Sequence, residues 1–209
     1  MKKLVLSLSA LITFGLANAQ ETTTTTEGFK KGDAFISGGA GFSSQKSGES
    51  DKSKQYNISP RAAYFVTNNI ALGVSLNYMH RKIDGFYDTS TLVQKDNSLS
   101  AGVFGRYYLT PASKFSFFAQ LGVNYVSTKS TLRGYNYDMD NKTEGIGVNF
   151  SPAISYFISD HFALEALFGI LSYNSYKPNN DAVVNGPSTD TFSAGLDLGN
   201  INLGLVYKF

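Results

Sequence analysis

The chain has 209 residues, and its 18 Lys and Arg nearly balance 16 Asp and Glu, for a net charge of +2. That balance excludes the basic field by which proteins hold nucleic acid. The absence of Cys excludes disulfides, thiolate metal sites and a lipid-modified N-terminal Cys.

Residues 1–19 stand apart from the fold. Lys2 and Lys3 precede an apolar run, Leu4 to Leu16, too short to cross a bilayer as a helix. Ala17-Asn18-Ala19 then gives the small-x-small pattern of a signal peptide cleaved after Ala19. The mature chain is expected to start at Gln20. From 20 to 31 the chain is polar, with Thr22 to Thr26 as a low-complexity run, and reads as a flexible lead-in.

Residues 32–209 read as one barrel domain of eight segments with a side-chain period of two. The first four are Asp33 to Ser43, Tyr56 to Val66, Ile70 to Arg81 and Ser98 to Leu109. Phe115 to Val126, Gly145 to Ile158, Phe162 to Tyr173 and Thr191 to Phe209 complete the set. Each approaches the length a tilted membrane strand needs, about ten residues. In the seventh, Phe162, Leu164, Ala166, Phe168 and Ile170 form the apolar face. The eighth changes phase between Leu198 and Ile201, which predicts a bulge near Gly199-Asn200. Pro60 and Pro152 each delete a ladder donor, and a local bulge is expected at both.

Connections alternate between short turns (67–69, 110–114, 159–161) and long polar stretches (44–55, 82–97, 127–144, 174–190). Such alternation is what an up-and-down barrel requires. The second face is Gly, Ser, Ala and Asn, as at Ala71, Gly73, Ser75 and Asn77. A soluble barrel would carry Lys and Glu outside and apolar residues inside, so here the apolar face points to lipid. Aromatic rings gather at both rims: Tyr64, Tyr107, Phe115, Tyr156, Phe162, Tyr207 and Phe209 at the short-turn end, with Tyr56, Tyr78, Tyr125 and Tyr173 at the other. Ser59-Pro60-Arg61-Ala62-Ala63-Tyr64-Phe65-Val66-Thr67 repeats as Ser151-Pro152-Ala153-Ile154-Ser155-Tyr156-Phe157-Ile158-Ser159, one hairpin and one long connection per repeat.

The signal peptide, these Ser-Pro hairpins and the terminal Tyr207-Lys208-Phe209 resemble the small bacterial outer-membrane β-barrels. This is the OmpA/OmpX-like, porin-family barrel domain in its Bacteroidetes-type form, and the likeness runs from about Gly32 to Phe209. It implies an all-β fold, an eight-stranded antiparallel up-and-down transmembrane β-barrel, in the cell outer membrane. It also implies that Ile201, Leu203, Leu205, Tyr207 and Phe209 form the signal read by the barrel-assembly machinery.

Little in the chain points to chemistry. His80 and His161 fall on opposite rims and cannot share a metal. A barrel that moves acyl chains needs His beside Ser and a carboxylate, and His80 with an inward Ser75 and Asp84 is not that motif. No catalytic residue, metal site or cofactor is therefore assigned. The informative charges are the inward Arg61, Arg106 and Glu165, at similar depth, with Asp197 higher up. They predict a lumenal cluster, either a polar plug or a charged constriction. Eight staves enclose only enough room for side chains, and inward Phe65, Phe104, Tyr108, Phe118 and Phe157 narrow it further. The expected function is a non-enzymatic structural or surface-interaction role. The alternative is porin-like passive transport of small or hydrophobic solutes. Expected partners are outer-membrane lipid and the assembly machinery, and the sequence names no surface ligand. Phe86, Tyr87, Tyr135 and Tyr137 fall in long connections, either to touch a partner or to pack on strands extended beyond the membrane.

Overall fold

The computed structural model describes residues 27–47, 51–87, 90–134, 137–168, 170–179, 187–195 and 202–209. The signal peptide, Asp197, Tyr135, Ile201 and the predicted Gly199-Asn200 bulge lie outside the described residues. Ten strand segments run in chain order: β1 (Ala34–Ser47), β2 (Asp51–Phe65), β3 (Ile70–Tyr87), β4 (Ser90–Tyr108), β5 (Phe115–Gly134), β6 (Tyr137–Phe157), β7 (Phe162–Leu167), β8 (Ile170–Pro178), β9 (Thr189–Gly195) and β10 (Asn202–Lys208).

They build eight staves. Both β7 and β8 pair with β6 and form the halves of the seventh stave. β9 pairs with β8 and β10 with β7, so these two form the eighth. β10 then meets β1, with Ile36 opposite Tyr207, and the antiparallel barrel closes on itself. Side-chain parity follows the sequence pattern. Leu72, Val74, Val103, Leu121 and Leu164 are more than half exposed on the outside, while Phe35, Phe65, Tyr108 and Phe157 are almost fully buried inside.

Three features differ from the sequence reading. The stretches 44–55, 82–97 and 127–144 are for the most part not loops. β1 to β6 continue through them as tall hairpins, and Lys82 still pairs with Lys95 and Lys129 with Lys142. Phe86 and Tyr87 belong to β3 and Tyr137 to β6. Polar side chains on both faces erase the hydrophobic period there, although the backbone ladder runs on.

The second difference is a phase change in the seventh stave. Ala153 pairs with Leu167, and Phe150 with Leu171, so three steps along β6 match four along its neighbour. This is a bulge, and beyond it the outward residues are Leu171 and Tyr173, in the opposite phase to the predicted face. Pro152 explains its place. It has no N–H to offer the seventh stave, and its carbonyl instead accepts from the Phe168 N–H at 2.8 Å. At Pro60 the expected bulge is not formed. The β2–β3 ladder breaks between Ile58↔Tyr78 and Arg61↔Ser75 and resumes in the same register.

The third difference is the lead-in, whose described end is packed rather than loose. Phe29 is 2% exposed and sits inside the short-turn mouth against Phe35, Phe65, Tyr108 and Phe157, with ring centroids 4.7–5.4 Å away. Its N–H donates to the Pro111 carbonyl at 2.6 Å, and Glu27 pairs with Lys114 at 3.0 Å. Gly28 permits this entry. Its φ is +107°, and a Cβ there would lie 2.5 Å from the Ala112 carbonyl carbon.

Deleting Phe168 removes the extra residue of the bulge, so that either half of the seventh stave must turn its apolar face inward. We expect this variant to lose the compact, heat-modifiable gel band that marks a folded barrel, whereas Phe168→Ala keeps it.

Candidate functional site: the lumenal charge cluster

Above the Phe29 seat the lumen is crossed by ions. Arg106 projects inward from β4 and Glu165 from β7, three staves away, and both side chains are fully buried. Arg106 Nη1 donates to Glu165 Oε2 at 2.8 Å and Nη2 to Oε1 at 3.2 Å. Nε donates to Gln120 Oε1 at 2.8 Å, and Nη1 also to the Tyr108 hydroxyl at 3.1 Å. Four of the five guanidinium protons therefore have partners, the condition for burying such a charge without a large desolvation cost.

Ring faces complete the enclosure. Phe118, Phe104 and Phe35 lie 4.7, 5.1 and 5.2 Å from the Arg106 guanidinium carbon. That is cation–π distance. Arg61 reaches the cluster from β2, its Nη1 3.4 Å from Glu165 Oε1, and remains 20% exposed. Gly204 leaves the room Glu165 needs. It stands directly opposite Glu165, and a Cβ there would meet Glu165 Cγ at 3.0 Å.

The structure thus brings together Arg61, Arg106 and Glu165, while Asp197 lies outside the described residues. Sequence reasoning missed Gln120, although it was legible: it has inward parity and faces Arg106 across the β4–β5 hairpin. The Tyr108 hydroxyl was missed because that residue was read only as a ring. Lys208 was missed as well. It is buried at the short-turn mouth and donates from Nζ to the Gly28 carbonyl at 2.7 Å.

Higher in the lumen the contacts become neutral. Ser75 Oγ lies 3.1 Å from Asn124 Oδ1, and Asn124 Nδ2 lies 2.9 Å from Asn149 Oδ1. At the far lip Arg81 holds Asp96 through Nη2 at 2.8 Å and Nε at 3.1 Å, with Gln94 beside them. Burial alone would raise the Asp96 carboxyl, but hydrogen bonds from Arg81, Gln94 and Ser130 outweigh it and hold the group below its ordinary value.

The histidines stand apart. His80 is on the outer face, stacked on Tyr56 at 5.0 Å with Nδ1 2.7 Å from Asn97 Oδ1, whereas Ser75 points inward. His161 Nδ1 meets the Lys208 carbonyl at 2.8 Å in the short turn. Among the described residues, no group of three or more His, Asp or Glu is placed to hold a metal ion. The C-terminal strand turns Leu203 and Leu205 outward, and Tyr207 packs on Phe162 and Phe209 with centroids at 5.1 Å.

Glu165→Ala leaves Arg106 buried beside a lost carboxylate, a cost of about 3–5 kcal/mol. The folded band should disappear at a clearly lower temperature than in wild type. The paired Arg106→Met, Glu165→Met variant should lose less. Asp96 contributes through its charge above its ordinary value of 3.8, and this stabilisation is lost as pH falls through the lowered value. Asp96→Asn should therefore flatten the loss of heat resistance below pH 3.8 while weakening the lip at neutral pH.

The fold and the site can be set beside known proteins. Among solved structures, the outer membrane protein OprG from Pseudomonas aeruginosa superposes with a TM-score of 0.51 at 16% identity, over 88% of this chain and 99% of that one. The N-terminal barrel domain of Pseudomonas aeruginosa OprF gives 0.47 at 11% identity, over 87% and 100%. Ail, the attachment invasion locus protein of Yersinia pestis, gives 0.43 at 18% identity, over 86% and 99%. At 16% identity the likeness to OprG is one of fold. No match is found among curated protein sequences. Residues 6–209 match the family described as outer membrane protein beta-barrel domain, and the chain belongs to that family.

Proposed function

We propose that this chain is a non-enzymatic outer-membrane barrel with a structural or surface-interaction role, its lumen closed by its own side chains. The observation that carries the reading is the Arg106 layer. A guanidinium with no exposed surface, bonded to Glu165, Gln120 and Tyr108 and enclosed by three phenylalanines, supports a lumen closed at that depth. The Phe29 ring packed at the short-turn mouth below it supports the same reading. Charges that pair across the lumen suit a brace, whereas a selective channel needs a ring of one sign left open to solutes.

Export belongs to the same proposal: a signal peptide cleaved after Ala19, then insertion in the outer membrane by assembly machinery that reads Ile201, Leu203, Leu205, Tyr207 and Phe209. The apolar outer face would lie against lipid, the tall hairpins β1–β2, β3–β4 and β5–β6 would stand in the external medium, and the mature chain would weigh as one starting at Gln20.

Conductance across a planar bilayer tests the closure. Refolded protein with a heat-modifiable band should give no steady current steps. Phe29→Ala should stay silent too, because the Arg106–Glu165 layer remains. Reproducible steps from wild type would sink the plug and make porin-like passive transport of small or hydrophobic solutes the primary reading, with Arg61, Arg106 and Glu165 as its selectivity residues.

A further inference from the structure

The outer surface of the far lip carries an arrangement that the barrel itself does not require. Lys54 of β2 stands directly opposite Lys82 of β3, and Lys82 directly opposite Lys95 of β4. All three have the parity of the outward residues: Lys54 shares its face with Tyr56 and Ile58, Lys82 with Leu72 and Val74, and Lys95 with Leu99 and Val103. Lys46 and Lys52 face each other in the next row out, between β1 and β2, and Lys52 has Asp84 of β3 opposite it on its other side. Like charges directly opposite in a sheet repel one another, so this row raises the energy of the fold unless something else compensates it.

The same molecule shows what compensation looks like. On the inner face at this level, Arg81 stands opposite Asp96 and bonds it. On the outer face of the β5–β6 hairpin, Lys129 pairs with Asp140 at 3.3 Å, Arg133 with Asp138 and with Asp140 at 3.1 Å, and Lys142 with Glu144 at 2.6 Å. On β1–β4, by contrast, Lys82 pairs with Asp84 at 2.8 Å, and no ion pair joins Lys46, Lys52, Lys54 or Lys95 to a described side chain. Among the described residues, the excess is confined to one flank.

Its height says what it faces. Tyr56, the outermost ring of the apolar band on β2, is two residues below Lys54, or about 7 Å along the strand. Lysine stems that start one step above an aromatic girdle reach the depth of lipid headgroups.

We infer that Lys54, Lys82 and Lys95, flanked by Lys46 and Lys52, form a docking surface for phosphates on the headgroups of the surrounding lipid. The inference rests on the outer-membrane reading above. The ammonium groups draw phosphate oxygens between adjacent staves, and the bound phosphates cancel the repulsion within the row. The barrel thereby selects phosphorylated lipid for one flank and holds that flank at a fixed depth.

The test uses full-length mature protein refolded into phosphatidylcholine vesicles containing either bisphosphorylated or dephosphorylated lipid A, extracted in mild detergent, with retained lipid counted by native mass spectrometry. Wild type should retain the bisphosphorylated form and little of the other. Lys54→Gln, Lys82→Gln, Lys95→Gln should lower that retention by about tenfold or more. Lys129→Gln, Lys142→Gln on the compensated hairpin should change it little, and the triple Lys→Arg variant should keep it. In zwitterionic detergent alone the triple Gln variant should be at least as heat-resistant as wild type, because its repulsion is gone. Lys54→Gln, Lys95→Gln, which keeps the Lys82–Asp84 pair, serves if the triple variant fails to fold.

Equal retention of the two lipid forms, or equal retention by wild type and variant, overturns the inference. So does a variant that loses binding to a soluble sulfated polysaccharide but not to lipid, since the row would then serve a soluble polyanion. A missing folded band in wild type would instead overturn the membrane reading itself, so the two failures are distinguishable.

Discussion

A sheet becomes a barrel only when its first strand meets its last in register, and the meeting of β1 with β10 is the constraint on which the rest depends. Once Ile36 lies opposite Tyr207, every stave must keep one face to the lumen and one to the outside. The lumen of eight staves is narrow, so whatever points inward must be small or must find a partner within it. Gly204 beside Glu165 and Gln120 beside Arg106 are both consequences of that shortage of room.

The buried ions gain their geometry from the same constraint. Arg106 and Glu165 are 59 residues apart and on different walls, and closure brings them within 2.8 Å. A narrow lumen supplies what an open groove cannot: partners for four guanidinium protons and rings on several sides at once. The pair stabilises the fold less than its distances suggest, because both ions lose their water. It is specific, however, since any slip in register would leave a bare charge inside.

Much of this was legible from alternation alone. Inward parity identified Phe65, Phe104, Tyr108, Phe118 and Phe157 as lumen residues, and all five are buried. The same parity placed Arg61, Arg106 and Glu165 inside at similar depth. What escaped had no period to reveal it. The hairpins above the apolar band carry polar residues on both faces, so nothing in Lys82 to Asn97 marks a strand. The Phe168 bulge was hidden because both phases of that stave offer apolar residues, Ala166 and Phe168 in one, Leu167 and Leu171 in the other. Phe29 is a single ring in a polar stretch, and a lone residue has no pattern. Its seat is made by Phe65, Tyr108 and Phe157, which only the closed fold brings together.

The Phe29 seat also dictates an order of events. Its walls come from β1, β2, β4 and β6, and the Lys208 ammonium that holds Gly28 is at the very end of β10. Phe29 leaves the ribosome 179 residues before Lys208 does, and the Lys208 hold on Gly28 can form only once the final strand is in place. A docked Phe29 is in effect a molecular receipt for closure, and a barrel stalled one strand short leaves that ring, with its short basic neighbourhood of Lys30 and Lys31, out in the water where proteases work.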